Sequence, residues 1–160
     1  MACETLVKFS DMLRYQLYEC TEEKVSLEKE ISYINDFISF HRLRKDENLQ
    51  INFQIEKIKP DLEIAPLMLV VLIENAFKFV SSFPDRENKI CICLTTKDCV
   101  LHGTFSNTKD SQEPDVGKKT NGIGVANLKR RLELLYPGKF KYTIKNELHF
   151  YETTLTIDLS

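Results

Sequence analysis

The sequence predicts an α/β layered domain with a mostly antiparallel sheet, preceded by helical segments. Three observations predict it. Apolar residues recur at helical spacing to about Arg44. The period then changes to two. From there to the end, strand-like and helix-like runs alternate.

Leu6, Phe9, Leu13 and Leu17 stand three and four apart, so residues 4–19 read as an amphipathic helix. A polar link, Glu19 to Lys24, leads to a second long helix. Ser26 is its N-cap, and it carries Leu27, Ile31, Ile34, Phe37, Ile38 and Phe40. Asp46-Glu47-Asn48 forms the turn that follows. Leu49, Ile51, Phe53 and Ile55 alternate with Gln50, Asn52, Gln54 and Glu56, the pattern of a half-buried strand. Pro60 breaks the chain, and Pro66 suits the first turn of the next helix. That helix is apolar nearly all round from Leu67 to Ile73, which predicts deep burial.

Residues 89–97 and 99–106 read as two strands joined by a short Lys97-Asp98 turn. Residues 107–121 include Pro114 and Gly117 but almost nothing apolar, and read as a mobile surface loop. A helix opens near Gly124 and runs through Leu128, Leu132 and Leu135 to Tyr136, where Pro137-Gly138 stops it. Strands at 140–146 and 148–158 close the chain.

The 160 residues suit one domain, 42% hydrophobic and 29% charged. A net charge of -2 argues against a nucleic-acid partner, although Lys129-Arg130-Arg131 is a local candidate anion site. No apolar run approaches the ~20 residues that span a bilayer, and no signal-peptide core is present. The chain therefore reads as a cytoplasmic domain, with a membrane anchor expected in a longer parent. The five cysteines are odd in number and lack CxxC spacing. Cys91 and Cys93 share a strand face and read as small half-buried residues of a reduced protein.

Two constellations carry chemistry. In the first, Glu74 and Lys78 are four apart and share a helix face with Asn75 beside them. An amide oxygen suits Mg2+, a carboxylate can accept a proton, and an ammonium can meet phosphate. Read alone, the segment is more readily an intrahelical Glu74–Lys78 salt bridge at a helix end that reaches solvent. In the second, Asn121-Gly122-Ile123-Gly124 leads straight into a helix. Paired glycines let backbone amides approach a phosphate, and the helix N-terminus adds unpaired N–H groups. A bare GxG is weak. Its weight lies in the order: polar helix end, two strands, hydrophilic loop, GxG, amphipathic helix.

That order resembles the GHKL class of ATPases and, within it, the LytS/YehU-type sensor histidine kinases. Three segments carry the resemblance: Ser10-Asp11-Met12-Leu13-Arg14-Tyr15, then Ile64-Ala65-Pro66-Leu67-Met68-Leu69 through Glu74-Asn75-Ala76-Phe77-Lys78, and Gly122 through Tyr136. The resemblance implies a two-layer α/β sandwich of the Bergerat type, holding ATP and Mg2+ between sheet, helices and a lid. It implies that Asn75 binds Mg2+, that Glu74 is the catalytic carboxylate, and that Lys78 lies toward the phosphates. Gly122 and Gly124 match the glycine box of the lid. Asn107 takes the place of the aspartate that bonds the adenine amine.

The resemblance further implies transfer of the ATP γ-phosphoryl group to a histidine on an upstream helix, of the same protein or its dimer mate, with relay to a response regulator. On it, residues 1–20 are the end of a dimerising hairpin and residues 21–160 the ATP-binding domain. The full-length protein is expected to be a homodimer. Three departures stand out. The Asp-x-Gly-x-Gly adenine box is replaced by Phe105-Ser106-Asn107-Thr108-Lys109, and Phe79 stands where relatives often carry histidine. None of His41, His102 and His149 has the Pro-His-Phe-x-Phe-Asn context of a phosphoacceptor. The chain thus reads as a fragment unable to phosphorylate itself alone. A degenerate non-catalytic interaction module, another GHKL ATPase, or a domain that binds no nucleotide remain open at this point.

Overall fold

A computed structural model describes residues 2–18, 21–43, 48–110 and 123–160. In chain order its elements are α1 (Ala2–Tyr18), β1 (Val25–Ser26), α2 (Leu27–Arg42), β2 (Leu49–Glu56), β3 (Glu63–Ile64), α3 (Val70–Phe79), β4 (Asn88–Lys97), β5 (Val100–Thr108), α4 (Ile123–Leu135), β6 (Phe140–Asn146) and β7 (Phe150–Asp158). The short strands β1 and β3 were not legible in the sequence, because two residues cannot show a period. The described residues fall into two compact units, Met1–Glu47 with Pro60–Val70, and Asn48–Lys59 with Val71–Ser160.

In the first unit Ser26 caps α2 as its residue type predicts. Its backbone is extended (φ -61, ψ 141) and its hydroxyl accepts the Lys29 N–H at 3.2 Å. Beside it β1 pairs antiparallel with β3, Val25 opposite Ile64, and the Leu27 N–H donates to the Leu62 carbonyl at 2.7 Å. One stripe of α2 is buried: Leu27, Ile31, Ile34, Phe37 and Ile38. The amphipathic α1 behaves otherwise. Leu6, Phe9, Leu13 and Leu17 are exposed, and Tyr15 is the one buried residue among its described side chains.

Helix α3 begins at Val70, later than Pro66 predicts. Leu67 adopts a left-handed φ of 58, a conformation costing about 1–2 kcal/mol in a residue with a Cβ. It is held there because the N–H groups of Leu67 and Leu69 donate to the Glu30 carboxylate, at 2.9 and 3.1 Å. Helical bonding starts only beyond this anchored turn.

The second unit holds a five-stranded sheet in the order β2-β4-β5-β7-β6. Its β2–β4 pair is parallel and the other three pairs are antiparallel. The parallel pair follows from connectivity, since the chain between β2 and β4 passes through α3 and parallel neighbours need such a crossover. Burial alternates along the strands. Ile90, Ile92, Leu94, Leu101, Phe105, Leu155 and Ile157 are buried, as are Leu72, Ile73 and Ala76 of α3 and Val125, Leu128 and Leu132 of α4. Each fully buried Leu, Ile or Phe contributes roughly 1.5–3 kcal/mol. Gly103 belongs to this packing, since a Cβ there would stand 2.8 Å from Cε2 of Phe105. Cys91 and Cys93, which alternate with the core residues of β4, are half-buried free thiols. No described helix is long and apolar enough to cross a membrane.

Candidate functional site

Helix α3 ends the way its sequence suggests. Leu72, Ile73 and Ala76 are buried, Asn75 is half-buried, and Glu74 and Lys78 are exposed. The Glu74–Lys78 salt bridge is not formed. The Lys78 ammonium lies instead 5.2 Å from the centroid of the Phe79 ring. Partial desolvation raises the Glu74 carboxyl above its ordinary value of 4.5.

A raised carboxyl binds its proton more tightly in the folded state than in the unfolded chain. Stability therefore falls as pH rises from the ordinary value through the raised one. Glu74→Gln is expected to raise the melting temperature slightly at neutral pH and to leave it unchanged well below pH 4.5. Thermal melts of both proteins across that range check it. A gap that widens toward acid would reverse the sign.

Asn107 lies at the far end of β5, opposite Ile90 of β4 and Tyr151 of β7, and is 2% exposed. Its amide nitrogen donates to the Phe79 carbonyl at 3.1 Å and to the Thr108 carbonyl at 2.9 Å. Phe79 is the last residue of α3, whose terminal carbonyls lack partners within the helix. Asn107 therefore fastens the end of α3 to the end of β5. An aspartate at this position could not donate that bond.

A second polar cluster holds the segment that follows α3. Asn88 accepts through Oδ1 from the Ser81 hydroxyl at 2.7 Å and from the Phe83 N–H at 2.8 Å, and donates through Nδ2 to the Phe83 carbonyl at 3.0 Å. The Ser81 N–H reaches the Thr108 carbonyl at 2.8 Å. Segment 81–88 is thus tied to the same sheet end as Asn107.

Gly124 lies in the first turn of α4 and is exposed. A Cβ there would meet Cγ1 of Val71 at 3.4 Å, ordinary van der Waals contact. The start of α4 accordingly lies against α3, three residues before Glu74. Packing alone does not demand glycine at 124. Gly122 and most of the predicted loop 107–121 lie outside the described residues.

Two hub residues escaped the sequence reading. Asn88 had no signal beyond being polar at a strand start. Glu30 had one: it stands three residues after Leu27 and four before Ile34, a charge on the apolar stripe of α2. The histidines have local surroundings of their own. The His41 ring lies 4.5 Å from that of Phe37, His102 Nδ1 is 3.4 Å from the Thr156 hydroxyl, and the His149 ring meets that of Phe83 edge-on. Among the described residues no three His, Cys, Asp or Glu side chains cluster to hold a metal.

Comparison with known proteins adds to this geometry. The family described as histidine kinase matches residues 1–49. The chain is 28% identical over 156 residues to the sensor protein LytS of Bacillus subtilis, covering 90% of this chain and 26% of that protein. It is 25% identical over 158 residues to LytS of Streptococcus mutans, covering 92% of this chain and 26% of that one. The chain therefore spans about a quarter of the length of these relatives. Among solved structures, the catalytic domain of the histidine kinase ThkA superposes with a TM-score of 0.59 at 15% identity, covering 85% of this chain and 95% of that one. Full-length ShkA, a structure in complex with AMPPNP, gives 0.59 at 15% identity, covering 85% of this chain and 30% of that one. The fold is that of a histidine kinase catalytic domain, an α/β fold with a mostly antiparallel sheet as the sequence predicts.

Proposed function

We propose, from the premise that this chain is a relative of the LytS sensor histidine kinases, that residues 21–160 form the ATP-binding domain of such a kinase. Residues 1–20 are then the end of its helical hairpin. One observation carries the reading. The polar end of α3, with Glu74 and Asn75, is fastened through Asn107 to the end of β5, and the glycine-led start of α4 lies against the same helix.

The donor set fits a magnesium nucleotide. Asn75 offers a hard amide oxygen, Lys78 an exposed ammonium, and the start of α4 a set of N–H groups without helical partners. Bound Mg2+ would neutralise charge on the triphosphate and on the transferred phosphoryl group. Asn75 holds the ion, and Lys78 meets the phosphates. The Gly124 amide, in the first turn of α4, would come close to them because no side chain intervenes, and Gly122 is assigned to the same glycine box from the resemblance alone. Asn107 spends its amide nitrogen on Phe79, and its carbonyl oxygen would be the acceptor left for the adenine amine. Glu74, its proton affinity raised by desolvation, takes the proton from the acceptor imidazole.

The acceptor histidine lies on an upstream helix beyond these 160 residues, in the same protein or its dimer mate, and a response regulator receives the phosphoryl group. The exposed Leu6, Phe9, Leu13 and Leu17 of α1 are the face that the rest of the hairpin covers. The domain is cytoplasmic, in a membrane-anchored homodimeric parent.

Calorimetric titration of the chain with Mg2+ and AMPPNP tests the reading, and absence of binding at millimolar nucleotide overturns it. Joining the chain to its upstream histidine segment then asks for acid-labile phosphohistidine. A protein that binds nucleotide yet stays unlabelled is the second reading, a non-catalytic interaction module, which the loss of the adenine-box aspartate favours.

A further inference from the structure

Glu30 is fully buried on α2. A carboxylate removed from water is costly unless donors meet it. Its Oε2 accepts the Tyr15 hydroxyl at 2.6 Å and the Leu67 N–H at 2.9 Å, and its Oε1 accepts the Leu69 N–H at 3.1 Å. Leu69 immediately precedes α3, so its N–H is among those that helix geometry leaves without internal partners, and the Leu67 N–H belongs to the turn just before it. Helix α3 has no acidic residue in its own first turn. The negative charge that favours a helix N-terminus comes instead from a different helix.

The same oxygen that fixes Leu67 also holds Tyr15, a buried residue of α1. The Tyr15 ring stacks on Tyr33 with centroids 4.8 Å apart, and Gln16 donates to the Tyr33 hydroxyl at 2.6 Å. Glu30 and Tyr33 are three apart and share a face of α2. One carboxylate thus joins α1, α2 and the turn that launches α3.

We propose that Glu30 is a positioning residue for the nucleotide site, setting where α3 begins and tying that start to α1 through Tyr15. The inference rests on the nucleotide reading above. Helix α3 is 10 residues long, and Glu74 and Asn75 follow its anchored end by little more than one turn. A shift at that end moves them with it.

The test uses the whole chain and three variants. Tyr15→Phe removes one donor and keeps the ring. Glu30→Gln keeps the shape but turns an N–H donor toward groups that need an acceptor. Ile38→Val lowers stability in the same helix without touching the carboxylate. Amide hydrogen exchange and calorimetric affinity for Mg2+–AMPPNP are read on each.

In Tyr15→Phe, exchange over residues 67–73 is expected to quicken by about tenfold, with β4, β5 and β7 still protected, and affinity to fall a few-fold. Glu30→Gln changes both further in the same direction. Ile38→Val leaves both unchanged. Unaltered exchange at 67–73 overturns the proposal. So does exchange raised evenly along the chain, or an affinity loss as large in Ile38→Val. Should Glu30→Gln fail to fold, Tyr15→Phe decides alone. A wild-type chain that binds no AMPPNP overturns the nucleotide reading and the positioning role with it. The exchange arm then separately shows whether Glu30 anchors α3.

Discussion

Asn75→Ala is expected to weaken Mg2+–AMPPNP binding by about a hundredfold, the scale of losing one well-placed electrostatic partner in a phosphoryl-transfer site. Stability should barely change. Asn75 is half-buried on α3, with its neighbours Leu72 and Ala76 carrying the packing. Its truncation leaves no large cavity, and such substitutions usually stay within about 0.5 kcal/mol. Calorimetric titration paired with a thermal melt checks both halves. Affinity within threefold of wild type would remove Asn75 from the metal site. Lys78→Ala should lose less, and its loss should shrink at high salt, because the ammonium is exposed beside Phe79 and its field is screened.

Asn107→Asp restores the residue type that the resemblance led us to expect, and is nonetheless expected to harm both folding and binding. The substituted carboxylate would face the Phe79 carbonyl, 3.1 Å from the present amide nitrogen, at the negative end of α3. It would do so at a position only 2% exposed. Losing a buried donor and adding an uncompensated charge should destabilise by about 3 kcal/mol at neutral pH.

The charge is disfavoured in the folded state, so the folded pKa of this aspartate is raised. The penalty is present above that pKa and relieved as pH falls through it. Urea unfolding at neutral and acid pH measures the difference. With the end of α3 released from β5, nucleotide affinity should drop as well. An Asn107→Asp protein of wild-type stability that binds nucleotide more tightly would show that the amide nitrogen does not hold α3.

These two expectations differ in where they could be read. Asn75 was visible in the sequence, because an amide and two charges appear abruptly at the end of an otherwise apolar helix. The assignment of Asn107 to the adenine end came from resemblance alone. Its bond to Phe79 joins residues 28 apart. No local pattern encodes such a partner, since an asparagine in a strand carries no mark of which carbonyl it will meet. The same limit hid Asn88, whose side chain organises the segment after α3 from the first residue of β4.

Taken alone, the sequence determined what local physics controls. Spacings of three and four, then two, set the type and order of the long elements, Ser26 set the start of α2, and apolar alternation set the buried sheet face. Tertiary structure decided what depends on partners distant along the chain. It placed the start of α3 at Val70 rather than Pro66, because Glu30, 37 residues before Leu67, takes the N–H groups of the intervening turn. It also formed β1 and β3, made β2 parallel to β4, and gave Asn107 a helix end to hold. A buried charge or amide must find its complement somewhere, and only the folded chain determines where.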